Sequence, residues 1–402
     1  MKILFLTLLD FSSFSDRNIY CDLLREFIVG GNEVYCISPT ERRFGKDTRF
    51  EENGHLLKLK IGNVQKTNPL EKGISTLMMG HQFKTAVKRY FKDTKFDLIL
   101  YSTPPITLLN AVKYAKKRDG AKTYLMLKDI FPQNAVDIGL FKKTGLKGKI
   151  YKYFRKREKT LYDISDRIGC MSKANADYII RHNRGLDKAK VGICPNSIEV
   201  TDKRLTAEQK ETVRNKYGIP LDKKVFVYGG NLGKPQGIPF LIDCLRAGKE
   251  NGDVYYLIIG DGTEYGAIDA FVKDEKPQNV RLMRSLPKDE YDTVTASCDV
   301  GMIFLDHRFT IPNFPSRLLS YMQVGIPVLA CTDRASDIGA VISDGGFGWW
   351  CESNSVDNFS SLIPRCISSD LHKMGDNGFS YLSENYSSKN SYDEIMNSWN
   401  EL

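Results

Sequence analysis

Asn313-Phe-Pro-Ser-Arg-Leu-Leu-Ser-Tyr-Met-Gln-Val-Gly-Ile-Pro-Val-Leu-Ala330 reads as a turn, a short amphipathic helix, a second turn and a buried strand. Pro315 and Ser316 are helix-start residues, and Ser316 is the expected N-cap. A helix begun there turns its free backbone N–H groups on whatever lies in front of it, which favours an anion. Arg317, one residue further in, carries a planar fork that can hold two oxygens of a diphosphate at once. Gly325 and Pro327 end the helix, and Val328 opens the strand.

The same alternation runs outward in both directions, which predicts parallel sheets covered by helices. In the first half, strands are expected at Lys2–Leu8, Glu33–Ile37, Asp97–Tyr101, Lys122–Met126, Arg167–Met171 and Lys190–Cys194, with helices at Asn18–Val29, Leu108–Arg118 and Ser172–His182. Residues 198–223 are polar, hold one expected helix (Ala207–Tyr217) and read as a junction. Strands then follow at Lys224–Tyr228, Val254–Ile259, Val280–Met283 and Val300–Leu305, with helices at Ile238–Ala247, Asp269–Lys273 and Asp289–Ser297. Ile338–Ile342 is a short apolar piece, Gly345–Trp350 a turn, and Leu371–Asn400 a helical tail. The fold class is therefore α/β, with two Rossmann-like, doubly wound domains expected to face a cleft. The divisions are placed at 1–198, 199–380 and a final helical piece, 381–402.

A chain of 402 residues is long enough for two such domains. No apolar run reaches the ~18 residues of a transmembrane helix, and the start lacks a signal-peptide pattern. Nine scattered cysteines without a Cys-x-x-Cys pair point to reduced thiols and a cytoplasmic setting rather than a disulfide framework or zinc site. The net charge of +9 hides an asymmetry: residues 1–200 hold 37 Lys/Arg against 21 Asp/Glu, and residues 201–402 hold 21 against 28. A basic half points to a polyanion or an anionic membrane surface, and a solvated lysine-rich surface is the plainer alternative. Leu140–Thr160 concentrates the charge, with nine basic residues, one acid and the aromatics Phe141, Tyr151, Tyr153 and Phe154. Such an amphipathic stretch suits an anionic bilayer. Nucleic acid is not the expected partner, since no recognition module is present.

Tyr228-Gly-Gly-Asn-Leu-Gly-Lys-Pro-Gln-Gly237 joins a strand to a helix, and its glycines let backbone approach a phosphate. It lacks the G-x-G-x-x-G spacing of a nicotinamide fingerprint. Ile259-Gly-Asp-Gly-Thr-Glu264 closes the next strand. Asp261 or Glu264 is placed to address a base or ribose, or to cap a tight turn. Asp306-His-Arg-Phe-Thr-Ile-Pro-Asn313 leads into the opening segment. Lys128-Asp-Ile-Phe-Pro132 follows a strand of the first half. Asp129 there can orient an acceptor hydroxyl or cap a turn. The first loop, Asp10–Asn18, holds Asp16 and Arg17, which either meet an acceptor or begin a capped helix.

Taken together, these segments resemble family 4 glycosyltransferases of the GT-B fold, in particular the amino-sugar transferases of bacterial O-antigen and capsule biosynthesis. The opening segment is similar to the family's P-S-K-L-x-E-Y-M-x-x-G-x-P-V, and the glycine loop to its G-R-L-x-x-x-K-G. The two basic positions of that loop fall on Asn231 and Gln236, with Lys234 between them, and the usual acid pair falls on Pro312 and Ser320. The resemblance implies a nucleotide-sugar donor, with UDP favoured, and a polyprenyl-diphosphate-linked saccharide acceptor. It also implies a hexosyl or N-acetylhexosaminyl group, retention of configuration, no metal and no cofactor, and work at the inner face of the plasma membrane. It assigns Asp129 and Arg317 to catalysis. Gly230, Asn231, Lys234, Gln236, Asp261, Glu264, Arg308, Asn313, Pro315, Ser316 and Ser320 are assigned to the donor, and Asp16, Arg17 and Lys128 to the acceptor. A nucleotide-sugar epimerase of the same fold, or a non-catalytic nucleotide- or lipid-binding subunit, are the rival expectations.

Overall fold

The computed structural model describes every residue except Lys66, and the side chain of Pro69 is also left out of the description. The chain divides into two units, Met1–Glu199 with Ser388–Leu402, and Val200–Ser387.

The first unit is built on β1 (Lys2–Leu6), α1 (Ile19–Val29), β2 (Glu33–Glu41), β3 (Arg49–Glu51), β4 (Leu56–Ile61), α2 (Pro69–Tyr90), β5 (Leu98–Thr103), α3 (Leu109–Asp119), β6 (Lys122–Leu127), α4 (Gln133–Asp137), α5 (Gly145–Ile164), β7 (Arg167–Cys170), α6 (Lys173–His182) and β8 (Val191–Ile193). Among the described residues its sheet runs β3-β4-β2-β1-β5-β6-β7-β8. All pairings are parallel except β3 with β4 at the edge. The central strands are near-continuous apolar runs because helices cover both faces; β5, for instance, is buried at every residue. Local chemistry sets the helix ends. The Asn18 side chain accepts the Tyr20 and Cys21 N–H groups to start α1, and Gly120, in the left-handed region, stops α3.

The second unit holds α7 (Ala207–Tyr217), β9 (Lys224–Asn231), α8 (Ile238–Ala247), β10 (Val254–Asp261), α9 (Tyr265–Glu275), β11 (Val280–Met283), α10 (Lys288–Ala296), β12 (Val300–Phe304), α11 (Arg317–Gln323), β13 (Val328–Thr332), α12 (Ile338–Asp344), β14 (Gly348–Glu352), α13 (Val356–Ser368) and α14 (Leu371–Asn385). Its sheet is parallel throughout, in the order β11-β10-β9-β12-β13-β14. Both units are thus Rossmann-like, and each reverses its winding at one point: between β1 and β5 in the first, between β9 and β12 in the second. Ligands of such sheets sit beyond the carboxyl ends of the strands at that reversal.

Three local expectations change. Trp349 and Trp350 lie on the edge strand β14 rather than in a turn, because Leu329 and Ala330 of β13 pair with them in register. The apolar piece Ile338–Ile342 is the start of α12. The tail is two helices, broken at Tyr386, with α15 (Ser388–Asn400) packing on α1 in the first unit through the Phe27 and Tyr392 rings. β3, β4 and α2 occupy residues for which the sequence reading specified no element.

Candidate functional site

In the second unit the winding reverses at the carboxyl end of β9, at Gly229-Gly230-Asn231. Gly230 has φ +117°, a conformation open essentially to glycine. The neighbouring β10 turn must come equally close: a Cβ on Gly260 would lie 2.0 Å from the Gly230 carbonyl oxygen, and one on Gly262 2.2 Å from that of Leu232. Two glycine turns are therefore packed backbone against backbone.

Helix α11 lies beside them. Its Leu318, Leu319, Tyr321 and Met322 are buried. The Tyr321 hydroxyl accepts the Gly229 N–H at 3.2 Å and lies 3.1 Å from the Met302 carbonyl oxygen, pinning α11 to β9 and β12. This fixes the first residue of the helix. The Arg317 guanidinium stacks over the Tyr228 ring at 4.3 Å, and Nη2 is 3.6 Å from where a Cβ on Gly230 would stand. Arg317 Nη1 is shut off from water and has no hydrogen-bond partner among the described residues. A buried cation with an empty donor is costly, and an oxyanion over the glycine turn would satisfy it. Ser320, one turn along, shares that side of the helix and is half-buried.

The remaining donor expectations fare differently. Ser316 sits just before the helix as expected, but its hydroxyl makes no capping bond; its φ/ψ of −64°/−17° is already helical, whereas a side-chain cap needs extended backbone. Pro315 is half-buried. Arg308 is not a spare cation: its guanidinium grips both oxygens of Asp306, at 2.9 and 2.6 Å, so its charge is compensated. Asp261 pairs with Arg284, which stacks on Tyr265. Glu264 donates its N–H to the Leu232 carbonyl and leads into α9 without capping it. The Asn231 amide donates to Gln236 Oε1 at 3.0 Å, which also accepts the Gly233 N–H, so these two side chains brace the loop. The Lys234 side chain is exposed, with no hydrogen bond or ion pair among the described residues, while its carbonyl accepts the Gly237 N–H at 3.1 Å. Asn313 Nδ2 is buried and unpartnered, while its carbonyl accepts the Ser336 hydroxyl at 2.6 Å.

In the first unit, Asp129 follows β6. Asn134 donates to its Oδ2 at 2.5 Å, whereas Oδ1 is buried without a partner. Burial pushes this carboxyl from 3.8 up to about 6, because desolvation penalises the charged form. A carboxyl poised so near neutrality is suited to proton transfer. The three acceptor expectations are less well placed. Lys128 is turned inward: its Nζ lies 3.1 Å from the Pro195 carbonyl oxygen and 3.3 Å from that of Cys194, and burial lowers its pKa. Asp16 accepts the Ser12 and Ser13 N–H groups and closes its own turn. Arg17 is exposed.

Sequence reasoning assigned no role to Asp306, or to Tyr228 and Tyr321, whose partners Arg317 and Gly229 lie far along the chain. It also missed Lys58, a lysine 1% exposed on β4 whose ammonium holds Asp10, the Phe11 carbonyl and Ser38. The alternation Leu56-Leu-Lys-Leu-Lys-Ile61 was the available signal that this lysine stands on a strand.

Residues 209–380 match the family model of glycosyl transferases group 1. The probable glycosyltransferase WbjE of Pseudomonas aeruginosa is 26% identical over 333 residues, 82% of this chain and 80% of that protein. The putative colanic acid biosynthesis glycosyl transferase WcaI of Escherichia coli (strain K12) is 22% identical over 249 residues, 61% of this chain and 60% of that one. Among solved structures, Anabaena Alr3699/HepE in complex with UDP superposes with a TM-score of 0.70 at 15% identity, covering 100% of both chains. The glycine turns and Arg317 all fall inside the matched region, so residues 209–380 are similar to group 1 glycosyl transferases, within a two-unit α/β fold similar to that of solved GT-B glycosyltransferases.

Proposed function

We propose that this protein transfers a hexosyl or N-acetylhexosaminyl group from a nucleotide-sugar, with UDP favoured, to a lipid-linked saccharide acceptor in bacterial surface-polysaccharide biosynthesis. The observation that carries it is the Arg317 guanidinium beside Gly230 at the winding reversal, its Nη2 3.6 Å from where a Cβ on that glycine would stand and its buried Nη1 without a partner among the described residues. In this reading the turn and Arg317 hold the donor diphosphate, with exposed Lys234 nearby in sequence. Negative charge grows on the diphosphate as the sugar leaves, so a fixed cation there lowers the barrier. Ser320 and Glu264 address the nucleoside. Asp129 orients the acceptor hydroxyl and takes up its proton, and configuration at the sugar is retained without a metal. HepE holds UDP in its solved form, and WcaI is described in colanic acid biosynthesis; both favour the donor and pathway chosen here. The basic stretch 140–160 would keep the enzyme at the inner face of the membrane, where a polyprenyl-diphosphate acceptor is found.

The test is donor binding and slow hydrolysis across UDP-, GDP- and dTDP-sugars, for the native protein and Arg317→Ala. One donor class should bind, and the variant should lose about 10- to 100-fold in affinity, the worth of charge-assisted hydrogen bonds of ~1.5–3 kcal/mol. Equal affinity in the variant, or no binding of any donor, refutes this assignment.

A further inference from the structure

Helix α2 is apolar on two faces. One is spent on the fold: Met79, Phe83, Ala86 and Val87 are buried. The other is not. Leu70, Ile74, Leu77 and Met78 recur at helical spacing, and each is more than half exposed. Helix α5 repeats the pattern with Leu146, Ile150 and Tyr153, which are 45–80% exposed. Contiguous apolar surface of this kind marks a binding face.

The two stripes share a neighbour. The α2 backbone comes so close to the turn before α3 that a Cβ on Gly80 would stand 2.0 Å from the Thr107 carbonyl oxygen and 3.9 Å from Asn110 Nδ2. On α5, Arg157 Nη2 lies 3.3 Å from Asn110 Oδ1, and its Nη1 donates to the Tyr153 hydroxyl at 3.0 Å. Leu77 and Tyr153 therefore each stand about one helical turn before the residue that meets Asn110, so both stripes lead up to the same point.

The charge around them has one sign. The only acid of the 140–160 stretch, Glu158, is buried and held by Arg155 and the Tyr162 hydroxyl. Lys147, Lys149, Lys152 and Lys156 are all exposed on the flanks of the α5 stripe. On α2, Lys72, Lys84 and Lys88 are exposed, while Glu71 is paired with Arg42.

We propose that α2 and α5 together form a bilayer-docking surface: the Leu70–Met78 face of α2 enters the acyl region, and the α5 lysines bind anionic headgroups. An apolar stripe ringed by lysines fits that partner, since insertion buries the one while the surface potential attracts the other. The inference deepens the membrane side of the function proposed above. It assigns the hydrophobic half of the contact to a helix outside the basic stretch.

The 402-residue chain is sedimented with phosphatidylcholine vesicles, with and without about one third phosphatidylglycerol, and no donor or acceptor is present. Binding is expected to the anionic vesicles. Leu77→Asp with Met78→Ser should weaken it by about tenfold or more. Lys147→Glu with Lys152→Glu should weaken it at low salt, and less so at high salt. All four side chains are exposed, so the thermal midpoint should not move. Three results overturn the proposal: no binding by the native protein, unchanged binding by the α2 variant, or an α2 variant that only turns a dimer into a monomer, which would make a second copy the occupant. Because no sugar chemistry enters the assay, its failure is separable from failure of the transferase reading, which donor hydrolysis in solution reports.

Discussion

Replacing Asp129 by Asn should raise the stability of the first unit at neutral pH while abolishing transfer. The carboxyl is moved from 3.8 to about 6 in the folded protein, so the folded state holds its proton more tightly than the unfolded chain. Stability contributed by the protonated acid is full below pH 4 and is lost as pH rises through 6. A shift of about two units corresponds to about 3 kcal/mol, roughly half of it falling between pH 5 and 8. Oδ1 is closed to water, so little screening reduces this figure. Asn keeps the shape and the Asn134 contact but carries no charge, so it escapes the penalty. Thermal midpoints of the native protein and Asp129→Asn should therefore diverge from pH 5 to 8, the gap in the variant's favour widening by about 3–6 °C over that range. Transfer to acceptor is measured on the same samples and should fall to background. A gap between the two proteins that is flat with pH, or a variant less stable than the native protein at pH 8, would refute the buried-carboxyl argument. A stable variant with native activity would remove Asp129 from the mechanism.

Two further outcomes follow from the second unit. Gly260→Ala places a Cβ 2.0 Å from the Gly230 carbonyl oxygen, and backbone has to move. A loss of about 1–3 kcal/mol is expected, together with weaker UDP binding by titration calorimetry, and unchanged UDP affinity would disconnect the glycine turns from the donor. Tyr321→Phe removes the oxygen that accepts the Gly229 N–H. It should cost about 1–3 kcal/mol for the group left unpaired, seen as a lower urea midpoint, while Arg317 alone retains part of the donor affinity.

How far the site was legible depends on how local its chemistry is. Gly230, Arg317 and Ser320 could be placed from sequence because a glycine turn and a helix start are written in consecutive residues. Arg308 could not be judged that way: whether an arginine is free depends on its partner, here Asp306, two residues away but oriented by the fold. Lys128 and Asp16 could not be judged that way either, since both are bonded to backbone groups, at Pro195 and Ser12. The apolar face of α2 was missed because the sequence shows that a residue is apolar, not whether it is covered.

The sequence by itself determined two doubly wound α/β units, the order of their strands and helices at the core, the turn that carries Gly230 and the helix start that carries Arg317. These follow from periodicity and from the backbone demands of glycine and proline, which act over a few residues. Tertiary structure alone decided that Arg317 lies over Tyr228 with a donor unspent and that one Asp129 oxygen is sealed from water. It alone decided, too, that one face of α2 is left uncovered. Burial and pairing are set by residues far apart in the chain, and desolvation acts only once packing has removed the water.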